Sequence, residues 1–432
     1  MRLTSEGRAD PPSIAMIRSP APGSGFAVEG GVTLPPDSSA PRRRLLFVDD
    51  EPNVLDGLSK SLRTYRKQWD VVTAASGPAA LELLGQGTFD ALVTDARMPI
   101  MDGAQLLRVA LERWPEMMRV VLSGEIAKGG HADLTELAHH FIPKPVTMPV
   151  LHARLEEALA ARQLLGSKAL KALVCRLGTL PSLPGTFAEV NTLLGQPKST
   201  LEQFVRAIER DPSVCANVLR VVNSAWFGLR TRVASVREAV RLVGFAPLRD
   251  MVLAAEVFSG ARPEVERLRH EALERLAALP KLIRTLEATE WKESGATAVI
   301  LADVGQLLLM LRSTPEAEAI DAQVNAGHER VEAERRLLGA DHAHLGAVLL
   351  SMWSLPAELS EAVALHHEER SAQPVRSLST LLALVCAVQD LNTARDHRKE
   401  ALAARTLQLA AAFGVTELRP LLDTFTATQE AA

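Results

Sequence analysis

Residues 44–50 read Arg44-Leu45-Leu46-Phe47-Val48-Asp49-Asp50, an apolar run closed by two carboxylates, and residues 91–95 repeat the design as Ala91-Leu92-Val93-Thr94-Asp95. Between them the period changes: Val54, Leu55, Leu58 and Leu62 fall on one helical stripe, and Pro52 stands where a first helical turn tolerates it. Strands are predicted at 45–48, 71–75, 91–94, 119–122 and 140–142, each followed by helical periodicity. Strand and helix alternating in this way predict a doubly wound α/β fold, a five-stranded parallel sheet with helices on both faces.

Ligands of such sheets bind beyond the carboxyl ends of the strands. Those ends carry Asp49 and Asp50 after the first strand, Asp95 at the third, Ser123 at the fourth, and Lys144 with Pro145 after the fifth. Carboxylates crowded on one rim repel, and a hard divalent cation plus a lysine relieves the repulsion. A Mg²⁺ site is predicted, with Asp50 and Asp95 as direct ligands and Asp49 acting mainly through water. Asp95 then has an oxygen free to attack phosphorus, while Ser123 and Lys144 can donate to phosphoryl oxygens.

From Leu45 to about Leu165 the chain resembles the receiver domain of two-component response regulators. The resemblance rests on Asp49 with Asp50, the Asp95 to Pro99 loop followed by Met101, Asp102 and Gly103, the Ser123-Gly124 step, and Lys144 with Pro145. It implies that Asp95 is the phosphoacceptor and that a sensor histidine kinase or phosphotransfer protein is the donor. A cis bond before Pro145 is also implied, as is a switch residue at Phe141, which lacks the hydroxyl of the commoner tyrosine.

Beyond Pro149 the sequence is helical. Leu151, Leu155, Leu159 and Leu164 form a long apolar stripe, and the prolines of Leu180-Pro181-Ser182-Leu183-Pro184 mark a boundary. Amphipathic stretches then run over 187–194, 201–210, 214–224 and 234–242. Asp211-Pro212 makes a turn between two of them, the arrangement of a DNA-reading helix pair. The second helix, however, carries Val214, Val218, Leu219, Val221 and Val222 around much of its circumference, which fits a buried helix and not a groove reader.

Residues from about Leu180 to His367 resemble the HDOD domain, an all-α relative of the HD phosphohydrolases that serves as a non-catalytic output module. The marks are Leu183-Pro184, Asp211-Pro212, Val222-Asn223-Ser224, Ala239 with Leu242 to Gly244, and His366-His367-Glu368. For Asn223 and Ser224, local capping hydrogen bonds are an equal alternative to a motif role. In the HD register His270 matches the first metal ligand, Asp303 the aspartate of the His-Asp pair and Asp390 the last aspartate. His342, His366 and His367 match further histidines of larger relatives. The paired histidine is replaced by Ala302, and no Gly-Tyr-Pro follows His367. The resemblance therefore implies a degenerate site, with neither hydrolysis nor a bound metal expected in this domain.

Composition is consistent with these readings. Net charge is −4 with 47% hydrophobic residues, so no electrostatic footprint for nucleic acid or an anionic membrane stands out. The apolar run 381–388 is far shorter than the about 20 residues a bilayer needs. Cys175, Cys215 and Cys386 lie far apart in apolar helical surroundings and read as core residues of a reducing cytosol. The expected division is a disordered leader rich in Pro, Gly and Ser (1–41), the receiver (42–160), a helical linker (161–178), the output domain (179–374), and C-terminal helices (375–432) that complete it or bind a partner. The expected function is a phosphorylation-controlled switch acting on a downstream protein, with a homodimer among the arrangements that the leucine stripe allows. The alternative is a metal-dependent phosphohydrolase under receiver control.

Overall fold

The computed structural model describes residues 42–123, 134, 137–163, 165–176, 189–190, 192–193, 199–223, 231–244, 263–311, 315–368, 375–394 and 396–429. The leader, the 180–184 boundary, Leu164 and Ser224 lie outside the described residues.

Five parallel strands form one sheet in the order β2-β1-β3-β4-β5: β1 Arg43–Val48, β2 Trp69–Ala74, β3 Ala91–Asp95, β4 Met118–Ser123 and β5 His140–Pro143. Side chains alternate across it as a two-residue period requires. Leu46, Val48, Leu92 and Val121 pack on one face with Leu84, Leu106 and Leu107. Leu45, Phe47, Val93, Val120 and Leu122 pack on the other with Leu58, Leu62, Leu151, Leu155 and Leu159. The loop after β3 is held by Asp102, which caps the Gly103–Arg113 helix in a reciprocal box with Gln105. A Cβ on Gly103 would lie 2.3 Å from the Asp95 carbonyl oxygen, so only glycine allows this helix to start so close to the acceptor.

Beyond the sheet the described elements are helices that share one apolar core. That core includes Phe204, Ile208, Val218 and Leu219, then Leu308, Leu345, Leu349 and Trp353, and finally Leu381, Val385, Leu409 and Leu421. The Pro212–Asn223 helix is buried at nearly every position, which leaves no face to enter a DNA groove. Thr289–Met310 is long and apolar enough to cross a membrane, but most of it is buried inside the protein, so it serves as core. All three cysteines are buried and free.

Residues 39–432 form one compact unit, and the Met148–Gln163 helix joins its two parts. Its leucines face the sheet, Ala161 belongs to the helical core, and it packs along the His342–Met352 helix. Arg232 forks onto Glu157 of this helix (2.7 and 2.8 Å) and also donates to the Leu355 carbonyl (3.1 Å).

A second polar tie starts on β4. Arg119 is fully buried and donates to the carbonyls of Leu137 (2.6 Å), Met117 (3.3 Å) and Cys175 (2.5 Å). His139 Nδ1 accepts from the Arg119 backbone N–H (2.9 Å), which leaves Nε2 to donate to the same Cys175 oxygen (2.8 Å). That oxygen ends the Lys168–Cys175 helix, where a cation is favoured by the helix dipole. On β5, His140 Nδ1 meets the Ser354 hydroxyl at 2.5 Å.

Candidate functional site

The rim of the sheet gathers Asp49, Asp50, Asp95 and Lys144. Lys144 Nζ donates to Asp49 Oδ2 (2.6 Å) and Asp95 Oδ1 (2.5 Å). Backbone N–H groups take the remaining oxygens: Glu51 donates to Asp49 Oδ1 (3.0 Å) and Arg97 to Asp95 Oδ2 (2.7 Å). Among the described residues Asp50 makes no hydrogen bond or ion pair. Burial works against the Lys144 ammonium, but the two carboxylates outweigh it and raise its pKa. The Lys144–Pro145 bond is cis. Ser123 ends β4 and Phe141 lies within β5; their side chains are outside the described set.

The helical part gathers Asp303, His342, His366 and His367 and leaves out His270 and Asp390. Arg275 Nη1 donates to Asp303 Oδ2 (2.6 Å), and Gln306 Nε2 donates to Asp303 Oδ1 (2.9 Å). His342 Nε2 lies 3.2 Å from Asp303 Oδ1 and 3.0 Å from His367 Nε2. Burial opposes charge on both Asp303 and His342. Arg275 and His342 nevertheless hold the Asp303 carboxyl well below its usual range, while Glu334 and Asp303 raise the imidazole to about 10. Burial pulls His366 down to about 4. A Cβ on Gly305 would meet the His342 carbonyl oxygen at 1.9 Å, so glycine is what lets these two helices approach closely enough for Asp303 to reach His342.

The placement of His270 and Asp390 corrects the register drawn from the HD relatives. On Pro263–Thr285 the inward stripe is Leu268, Ala272, Arg275, Leu279 and Leu282. His270, two residues from that stripe, is rotated by about 200°. Its side chain is 75% exposed and pairs with Glu274. On Leu378–Thr393 the inward residue is Gln389, whose Oε1 accepts from Arg275 Nε (2.5 Å), while Asp390 is half-buried one position on. Arg275 itself was not anticipated, although a charged residue on an apolar stripe is a sequence signal for such a role. Asn223 is buried and locally bonded: its amide donates to Leu219 and Val233 carbonyls (2.9 Å each), and its oxygen accepts from Val233 N–H (2.6 Å). The Leu219 bond closes the last helical turn, and the pair to Val233 ties that turn to a segment ten residues on.

The buried histidines between the two parts make docking acid-sensitive. Burial, then Arg232 and Arg154, lower His140 to about 3; burial and Arg119 push His139 well below its usual value. Unfolded histidine titrates near 6.5, so the unfolded chain binds protons between about 6.5 and 3 that the folded chain refuses. The contribution of these two rings is then complete above about pH 6.5 and falls as pH drops, by up to about 1.4 kcal/mol per pH unit for each, whereas His342, raised to about 10, acts in the opposite sense and only above about pH 6.5. Between about pH 6.5 and pH 5 thermal midpoints should therefore decline, with a shallower slope in His140→Gln. A flat profile in the native chain would contradict the placement of these rings.

These two sites identify their domains. Residues 45–156 match the response regulator receiver domain family, and residues 180–369 match the HDOD domain family. The chain therefore carries a response regulator receiver domain followed by an HDOD domain. It is 34% identical over 119 residues to the transcriptional regulatory protein GlrR of Escherichia coli, covering 27% of this chain and 26% of that one. A response regulator receiver protein from Anaeromyxobacter sp. is 35% identical over 112 residues, covering 25% and 44%. The chain thus spans less than half the length of these curated relatives. The MmoQ response regulator of Methylococcus capsulatus is similar in structure at 25% identity and a TM-score of 0.45, covering 56% of this chain and 98% of that one. Receiver domains bind Mg²⁺ at their phosphorylation site and take their phosphoryl group from donors such as histidine kinases.

Proposed function

We propose that phosphoryl transfer to Asp95 switches a non-catalytic HDOD module that acts by binding a downstream protein. The observation that carries this reading is Lys144 bridging Asp49 and Asp95 on the strand end that leads directly into the shared Met148–Gln163 helix. Asp50 and Asp95 would hold Mg²⁺ directly and Asp49 through water. When bound, the ion supplies charge neutralisation for the incoming phosphoryl group. Asp95 forms the new P–O bond as the donor's P–N bond breaks, and Lys144 and Ser123 donate to the transferred oxygens. Phosphorylation adds about −1.5 to −2 charges, and each charge-assisted bond is worth about 1.5–3 kcal/mol before offsets. A differential of about 1.4 kcal/mol already shifts a population tenfold. Phe141, the switch position, directly follows His140, which bonds Ser354 of the output domain.

The signal then runs through β5 and the Met148–Gln163 helix to the His342–Met352 helix. Hydrogen exchange with and without beryllofluoride tests it. Altered protection is expected at 140–144, 150–171 and 342–352. Changes that stop at the receiver's edge would mean that the two domains are merely tethered.

A further inference from the structure

We propose that the output domain holds one divalent first-row metal ion of the zinc class on Asp303, His342, His366 and His367, as a closed structural centre. The ligand atoms of these four residues all lie within 4.8 Å of one another. The argument starts from where the protons are. His342 Nδ1 lies 2.6 Å from Glu334 Oε2, a carboxylate that can only accept, so this nitrogen carries the N–H. His366 Nδ1 likewise donates to the Val363 carbonyl at 2.6 Å. Once a metal displaces the second His342 proton, both Nε2 atoms are lone pairs, and both point into the cluster.

His366 is 1% exposed, and its Nε2 has no hydrogen-bond partner. A buried acceptor left in that state is destabilising unless something electrophilic meets it. One proton on His342 Nε2 could satisfy Asp303 or His367, but it would leave His366 unanswered. A metal ion answers all four groups at once.

The spacing suits that ion. Zinc–nitrogen bonds of about 2.0–2.1 Å in a tetrahedron set ligand atoms about 3.3 Å apart. The separations here are 3.0 Å (His342 to His367), 3.2 Å (His342 to Asp303) and 4.0 Å (His366 to Asp303). The outer partners are those of a metal site as well: a carboxylate and a carbonyl orient two of the imidazoles, and Arg275 and Gln306 fix the Asp303 carboxylate. Glu334, fully buried behind His342, brings compensating negative charge.

Four protein ligands leave no position for water, which marks a structural centre and agrees with a module that does not hydrolyse. Ala302 is no obstacle, because the remaining ligands come from the start of the His342–Met352 helix and from the turn after Ala357–Leu365. This centre does not depend on the receiver reading and stands or falls separately from it.

The full chain, stripped with a chelator and titrated with Zn²⁺ or Co²⁺ alone, decides the matter. The expected result is one equivalent retained through desalting, the intense visible bands of four-coordinate Co²⁺, and a thermal midpoint raised by several degrees. His366→Gln and His367→Gln should each weaken retention at least about tenfold and abolish the rise, while His270→Ala keeps both. Should His366→Gln fail to fold, the more exposed His367→Gln decides alone. Substoichiometric retention, a six-coordinate spectrum, or undiminished binding by His367→Gln would overturn the centre and leave a proton in its place.

Discussion

Incubated with Mg²⁺ and acetyl phosphate, the chain is expected to take up one phosphoryl group on Asp95, and Asp95→Asn to take up none. Asp95 meets the chemical requirements: one carboxylate oxygen is anchored by Arg97 N–H and the other by Lys144, so the group is aimed before the donor arrives. Removing Mg²⁺ should abolish uptake, because the crowded carboxylates otherwise repel the phosphoryl group. Lys144→Ala should reduce the yield by about tenfold or more through loss of one charge-assisted donor. Borohydride trapping followed by mass spectrometry locates the acyl phosphate. Label persisting at its native level in Asp95→Asn would disprove the assignment.

The second large effect is expected at Arg119. Replacing it with Met keeps much of the volume but removes a guanidinium that answers three carbonyl oxygens in a buried site. Main-chain acceptors stranded without water cost about 1–3 kcal/mol each, and His139 can still donate to Cys175. A net loss of about 2–4 kcal/mol is therefore expected in urea unfolding of the full chain. Faster exchange at 168–175 should accompany it, because the end of that helix loses its cation. Stability within about 0.5 kcal/mol of the native chain would show that this arginine is not a tie.

Much of this was legible in the chain itself, for reasons that differ from site to site. The strands announce themselves because a parallel sheet covered on both faces needs unbroken apolar runs, and Leu45 to Val48 and Ala91 to Val93 are such runs. The rim acids follow because strand ends are fixed by those runs. Family register failed where it met helical phase: His270 is two residues off the inward stripe, and Arg275 and Gln389 occupy the inner positions. Ties between distant segments were silent, since nothing local in Arg119, His140 or Ser354 tells which residues far along the chain they meet. Glu334 was also missed. A glutamate mid-helix reads as surface until the fold places His342 against it.

The Met148–Gln163 helix, packed on the sheet by its leucines and against the His342–Met352 helix on another side, makes the chain readable from both ends. Coupling between two sites is reciprocal. A downstream protein that grips the phosphorylated form tenfold more tightly must, in return, stabilise phosphorylation of Asp95 by the same factor, about 1.4 kcal/mol. The amount of that protein in the cell would then set how much kinase input is needed to hold the receiver charged. A listener of that kind would help to decide how much of the message is held at equilibrium.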